Sequence, residues 1–113
     1  MSTLTIGLYF RREPRGYRAF AVGSYGNTVH HYRDISVFST DVDRAALAAI
    51  QRLVEQYFLA NILPDADTST KKIVVVTSSK YESLVIPYKV VCDPKNTLFL
   101  SAKRRGYDHY LST

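Results

Sequence analysis

Four arginines fall within eight residues near the start of the chain, Arg11, Arg12, Arg15 and Arg18, beside Tyr9, Phe10 and Tyr17. A second basic group, Lys103, Arg104 and Arg105, runs straight into Tyr107, His109 and Tyr110. A guanidinium supplies a fixed charge and a planar fork that matches phosphate, and a tyrosine ring offers a face on which a base can stack. The same two residue types are enriched at protein–protein hot spots, so an acidic protein surface suits them as well as a phosphate backbone does. The candidate binding residues are therefore Arg11, Arg12, Arg15, Arg18, Tyr17, Lys103, Arg104, Arg105 and Tyr107. They form one patch if the first and last strands of the fold end on the same edge.

Catalytic patterns are absent by comparison. No glycine-flanked serine marks a nucleophile elbow, and the five glycines are scattered rather than gathered into a phosphate-binding loop. His30 and His31 are adjacent on an extended stretch, which sends their rings to opposite faces and prevents them from chelating one metal together. Asp65 and Asp67 sit in a polar loop. Cys92, the single cysteine, has no second cysteine for zinc or for a disulfide, and is expected to fill space as a small hydrophobe in a reducing compartment. The expectation is a protein without catalytic residues, metal or cofactor.

Charge is segregated along the chain. Residues 1–33 carry a net +4, residues 34–70 a net −4 and residues 71–113 a net +5, so the overall +5 hides two basic flanks around an acidic centre. Such sorting builds a basic face able to attract nucleic acid or an acidic protein. A length of 113 residues suits one domain, residues 1–113, and a hydrophobic content of 46% is too high for a disordered chain. No apolar run approaches the roughly 18 residues a membrane span needs, and the first charges follow the first apolar run, the reverse of a secretory signal. These features lead to the expectation of a soluble cytoplasmic protein that does not engage membranes.

The elements that must position the basic residues are organised around Ser39 to Tyr57. Val42, Ala46, Ala49, Ile50, Leu53, Val54 and Tyr57 recur there at three- and four-residue spacing, forming one apolar helical stripe, with Ser39 or Thr40 as the expected cap. Before it lie three extended segments, Thr3 to Phe10, Tyr17 to Tyr25 and Thr28 to Val37, joined by turns at Pro14–Gly16 and Gly26–Asn27; together they read as an antiparallel meander. After it, Lys72 to Thr77 is an unbroken β-branched run, expected as an interior strand parallel to the first. Glu82 to Cys92 contains Pro87 and reads as a short helical turn followed by extended chain. Asp93 to Asn96 is a turn, and Thr97 to Lys103 is expected as a last strand ahead of a basic tail.

Three strands, a helix and a buried strand give the opening order of the ribonuclease H-like fold, and local stretches resemble that family. GYRAFAV with the following SYGN is similar to its second strand and hairpin, DRAALAAIQRL to its first helix, and KIVVVTSSKY to its fourth strand. The resemblance covers roughly residues 3–82. It implies an α+β, α/β-like fold with a mixed five-stranded sheet in the order β-β-β-α-β-(β or short helix)-β and one main helix packed on it. It also implies acids on the first strand, in the helix and after the fourth strand to hold two divalent cations. Here Thr3 to Phe10 contains no acid, Ala45 stands at the helix position and Ser78 at the strand end, with Asp108 alone left for a last carboxylate. The resemblance thus implies a pseudoenzyme without the nuclease centre.

Two functions follow. The first is a non-catalytic nucleic-acid-binding module on a ribonuclease H-like scaffold, working through the basic, tyrosine-rich patch. The second is a small protein-interaction factor, such as a phage or mobile-element adaptor or an inhibitor of a host protein, using the same patch or a sheet edge. A homodimer through an edge strand is a further expectation, with Thr28 to Val37 as the strand that would pair.

Overall fold

In the computed structural model, which describes residues 3–26, 35–63, 72–78, 81 and 83–111, the chain opens on a strand longer than its apolar run. Strand β1, Thr3–Glu13, continues through both arginines, and β2, Gly16–Tyr25, returns antiparallel after the two-residue turn Pro14–Arg15. Strand β3, Ile35–Ser39, pairs antiparallel with β2 and closes the meander. The part of the expected third strand from Thr28 to Asp34 lies outside the described residues, as do Asn27, the His30–His31 pair, Asp65 and Asp67.

Helix α1, Val42–Leu59, follows. Its cap is Asp41 rather than Ser39 or Thr40: the Asp41 carboxylate accepts a hydrogen bond from the Asp43 N–H at 3.2 Å, while Ser39 Oγ accepts only from the Asp41 N–H, ahead of the helix. Ala45, Ala46, Ala49, Ile50, Leu53, Val54 and Tyr57 are buried, the stripe expected from the sequence with Ala45 replacing half-buried Val42 at its edge. Burial of Ile50, Leu53 and Val54 contributes about 1.5–3 kcal/mol each, well above the few tenths that separate helix propensities, so packing holds this helix. The Tyr57 hydroxyl, fully buried, donates to the Gly23 carbonyl oxygen.

Strand β4, Lys72–Thr77, lies parallel to β1 and in the interior of the sheet, as its β-branched run implies. The parallel register ends at Gly7 opposite Val76, and the buried Thr77 hydroxyl extends it by donating to the Leu8 carbonyl oxygen at 2.9 Å. The Leu84 N–H donates to the Tyr81 carbonyl oxygen at 3.3 Å ahead of β5, Lys89–Cys92, which lies parallel to β4. Among the described residues the result is a five-stranded mixed sheet in the order β3-β2-β1-β4-β5, an α+β architecture with two helices.

The second helix is a correction. Thr97 to Lys103 does not form a strand; it opens α2, Thr97–Leu111, which also takes up the basic tail. Asn96 starts it, its side-chain oxygen accepting from the N–H groups of Leu98 at 2.9 Å and Phe99 at 3.2 Å, and so satisfying two of the orphan donors of the first turn. Leu98, Phe99, Ala102 and Gly106 then recur at three- and four-residue spacing and are buried. The fifth strand is instead Lys89–Cys92, and Cys92, at its end, is exposed rather than packed inside.

Alternation sorts the sheet into two faces. Leu4, Ile6, Leu8 and Phe10 of β1 join Ala19, Ala21 and the stripe of α1 in the main core. The opposite face puts Phe20 and Val22 against Leu98 and Ala102 of α2, with Tyr9 and Tyr110 at the margin. Gly7 lets α2 lie on β1: a Cβ there would meet the Leu98 carbonyl carbon at 2.1 Å. Among the described residues no helix is long and apolar enough to cross a membrane.

Candidate nucleic-acid interface

Strand alternation divides the arginine run. Arg11 stands opposite Arg18 in the β1–β2 register, and both face α2; Arg12 stands opposite Tyr17, and both face α1. Arg15 is exposed in the hairpin turn, where it borders a shallow cavity with Pro14 and Phe38. The four arginines therefore do not form a single cluster, because adjacent strand residues point to opposite faces.

What the fold does bring together is Arg11 and the start of the C-terminal basic group. The Arg11 guanidinium carbon lies 4.4 Å from the centroid of the Tyr110 ring and 5.9 Å from that of Tyr107. The Lys103 ammonium lies 5.8 Å from the Tyr107 ring. Both cations thus sit over one tyrosine, within the distance at which the ring quadrupole attracts a cation. Beneath it Tyr9 meets Tyr107 edge-on, with ring centroids 6.1 Å apart, and also contacts Phe99 and Phe20. Burial, followed by the neighbouring Tyr107 hydroxyl, pushes the Tyr9 pKa up, so this ring stays neutral as a support. Tyr107 itself remains 46% exposed, which leaves a ring available to a ligand.

The last strand on which a single patch was conditional is a helix, and Arg11 of the first group and Lys103 of the second approach one another through it. Arg104 is exposed one residue beyond Lys103. Arg105 lies on the other flank of α2, bordering a cavity of about 380 Å³ with Phe20, Ile35, Ser36 and His109. Arg18 is engaged elsewhere: its Nε donates to Glu13 at 3.1 Å and its Nη1 to Ser36 Oγ at 3.3 Å, with its guanidinium over Phe38. Tyr17 packs against the main core on the far face.

Glu13, unassigned in the sequence reading, holds the patch in register. It accepts hydrogen bonds from the Tyr110 hydroxyl and from Arg18, tying the end of α2 to the β1–β2 hairpin. Burial works to raise its pKa, and the bonds from Tyr110 and Arg18 outweigh that and leave it below the ordinary value. Burial and the Glu13 carboxylate together push the Tyr110 pKa up. The signal was present in the sequence: an acid two residues from Arg11 across a two-residue turn must share its face with Arg11 and Arg18.

The positions that could carry acids are placed as follows. Ala45 is fully buried in the first turns of α1, Ser78 is half-buried just past β4, and Asp108 is exposed on α2. The one acid of β1 is Glu13, its last residue. Among the described residues no three of His, Cys, Asp or Glu gather in a group suited to a metal ion. Comparison of the chain with protein-family models, with curated proteins and with solved structures returned no match.

Proposed function

We propose that this protein is a non-catalytic nucleic-acid-binding module that contacts phosphates through Arg11, Lys103 and Arg104 and a base through Tyr107. The observation that carries the reading is the meeting of Arg11 and Lys103 over one exposed tyrosine supported by Tyr9. Among the described residues neither cation is paired with a carboxylate, so phosphate contact breaks no ion pair there. A ribonuclease H-like scaffold without the nuclease centre belongs to the same proposal. In its support, the meander, helix and parallel interior strand follow one another as the resemblance requires, and Ala45 and Ser78 stand where it expects acids.

Fluorescence anisotropy with labelled single-stranded, duplex and hybrid oligonucleotides tests the reading. Three phosphate contacts release about 0.7–0.9 counterions each, so the log–log salt slope should be about −2 to −3. The double substitution Arg11→Ala, Lys103→Ala should flatten it by about 1.4–1.8 units. The absence of salt-dependent binding to all three probes overturns the reading. In a parallel assay the purified protein should not cleave the RNA of a hybrid with magnesium or manganese; cleavage that substitution of its own carboxylates removes would refute the non-catalytic assignment.

A protein-docking reading is favoured by a separate observation. Leu100, Tyr107 and Leu111 are 45%, 46% and 84% exposed on the same helix. Together with Arg104 they would present an apolar and basic face to an acidic partner. Pull-down with and without nuclease treatment separates the two: partners lost on treatment favour nucleic acid, and partners retained favour docking.

A further inference from the structure

On the opposite side of the sheet from the patch, residues of the hairpin end and the start of α1, with Tyr81, Ser83 and Leu84, line a cavity of about 390 Å³. Its lining includes Arg12, Asp43, Tyr17, Tyr81, Val42 and Leu84. That volume lies within the range of about 300–1,000 Å³ typical of small-molecule sites, and a mixed lining with a few polar groups is their usual character.

Among the described lining residues two are charged, and they define the ligand. Arg12 makes no hydrogen bond or ion pair among the described residues, in contrast to Arg18. Asp43 uses Oδ1 to accept the Val85 N–H at 3.0 Å, which fixes the carboxylate, and its Oδ2 has no partner among the described residues. Arg12 and Asp43 line the same cavity, yet no ion pair within 4.0 Å joins them. A purely anionic ligand would gain Arg12 and be repelled by Asp43, and a cation would meet the reverse. A ligand carrying both charges on groups attached to one carbon satisfies each. Apart from Ser83, the remaining described lining is apolar or aromatic: Tyr81 packs on Phe10 with ring centroids 4.6 Å apart, and Tyr17, Val42 and Leu84 pack against the main core.

We propose that this cavity binds an α-amino acid with an aromatic or large apolar side chain, its carboxylate on Arg12, its ammonium on Asp43 and its side chain among Tyr17, Tyr81 and Leu84. The site is independent of the nucleic-acid patch, since Arg11 and Arg12 leave the same strand on opposite faces.

The test is a titration of the ¹⁵N-labelled full chain with L-phenylalanine up to about 10 mM, followed by amide chemical shifts, with a Kd expected at about 0.1–1 mM. The shifts should centre on Arg12, Tyr17, Asp43 and Leu84. 3-Phenylpropanoate lacks the ammonium and phenethylamine lacks the carboxylate, and each should bind about tenfold or more weakly. Arg12→Gln, at an exposed position, should weaken phenylalanine by a similar factor. Ser83→Trp, which fills the cavity mouth, provides a second variant should Asp43→Asn disturb the helix start. Arg11→Ala should leave the titration unchanged. The proposal is overturned by absence of shifts at these residues, by either analogue binding as tightly as phenylalanine, by an Arg12→Gln protein that binds normally, or by adenosine monophosphate binding more tightly than the amino acid.

Discussion

Replacing Gly7 by alanine should be the most damaging single-methyl change in this protein. The added Cβ would lie 2.1 Å from the Leu98 carbonyl carbon, 2.3 Å from its oxygen and 2.4 Å from the Phe99 nitrogen, where ordinary contact begins at 3.4 Å. All three are backbone atoms of α2, so no side-chain rotation relieves the clash, and the helix must withdraw from β1 by more than about 1 Å. That movement loosens Leu98, Phe99 and Ala102 from Phe20, Val22 and Tyr9. Overpacking costs about 1–3 kcal/mol where neighbours can adjust, and a backbone neighbour places this case at about 3 kcal/mol. With a urea m-value of about 1.5 kcal/mol/M, the unfolding midpoint should fall by about 2 M. The melting temperature should fall by roughly 10–15 °C. Gly106→Ala is the control. Its Cβ meets the Tyr9 ring at 2.6 Å, a side chain that can turn, and alanine gains about 1 kcal/mol of helix propensity over glycine. That variant should stay within about 1 kcal/mol of wild type. A Gly7→Ala protein whose urea midpoint matches wild type would refute the close approach of α2 to β1, and with it the geometry of the Arg11–Tyr107–Lys103 patch.

Three other outcomes are expected. Leu53→Ala should cost about 3 kcal/mol by urea denaturation, and Gly23→Ala, whose Cβ would crowd Leu53 at 2.8 Å, should cost less in that background than alone; additive costs would count against the contact. Because Glu13 has its pKa held below the ordinary 4.5, its bonds to Tyr110 and Arg18 stabilise the fold fully above that value and lose their effect as pH falls through the folded value. Glu13→Gln should therefore remove an acid-side loss of less than about 1 kcal/mol, the screening of a partly exposed pair keeping it small, and a pH-independent difference in urea midpoints would contradict this. Strand β3 lies at the sheet edge with one side of its backbone unpaired by β2, so light scattering should show a dimer fraction rising with concentration; a constant monomer mass up to high micromolar levels would argue against edge pairing.

The sequence showed most plainly what depends on strong periodicity. The α1 stripe and the β4 run were legible because seven buried positions in one and five consecutive β-branched residues in the other leave a single element compatible with each. The α2 helix was not. Leu98 and Leu100 alternate with Thr97, Phe99 and Ser101 over a span too short to separate period two from period 3.6, and Gly106 interrupts the pattern where a strong helix former would have declared it. Asn96 was the available signal, a cap residue in a turn directly ahead of an apolar run. The site was legible as composition and not as geometry. A run of arginines names a chemistry, but which of them share a surface depends on whether the run is strand or loop, and β1 extends three residues beyond Phe10 to make it strand.

That extension has a consequence for how function should be probed. In an extended chain Arg11 and Arg12 are separated by the thickness of the sheet, although one bond apart in sequence. Arg11 reaches Tyr110 and Tyr107 on one side, and Arg12 lines the cavity with Asp43 and Tyr81 on the other. Removing Arg11, Arg12 and Arg15 together would therefore erase two surfaces at once, and a lost activity could not be assigned to either. Single substitutions separate them. Arg11→Ala should lower the salt slope of oligonucleotide binding by about 0.7–0.9 units and leave the amino-acid titration intact, while Arg12→Gln should do the reverse. Equal loss of both activities in both variants would mean that the hairpin end acts as one loop rather than as two strand faces, and would overturn the division of labour drawn from the register.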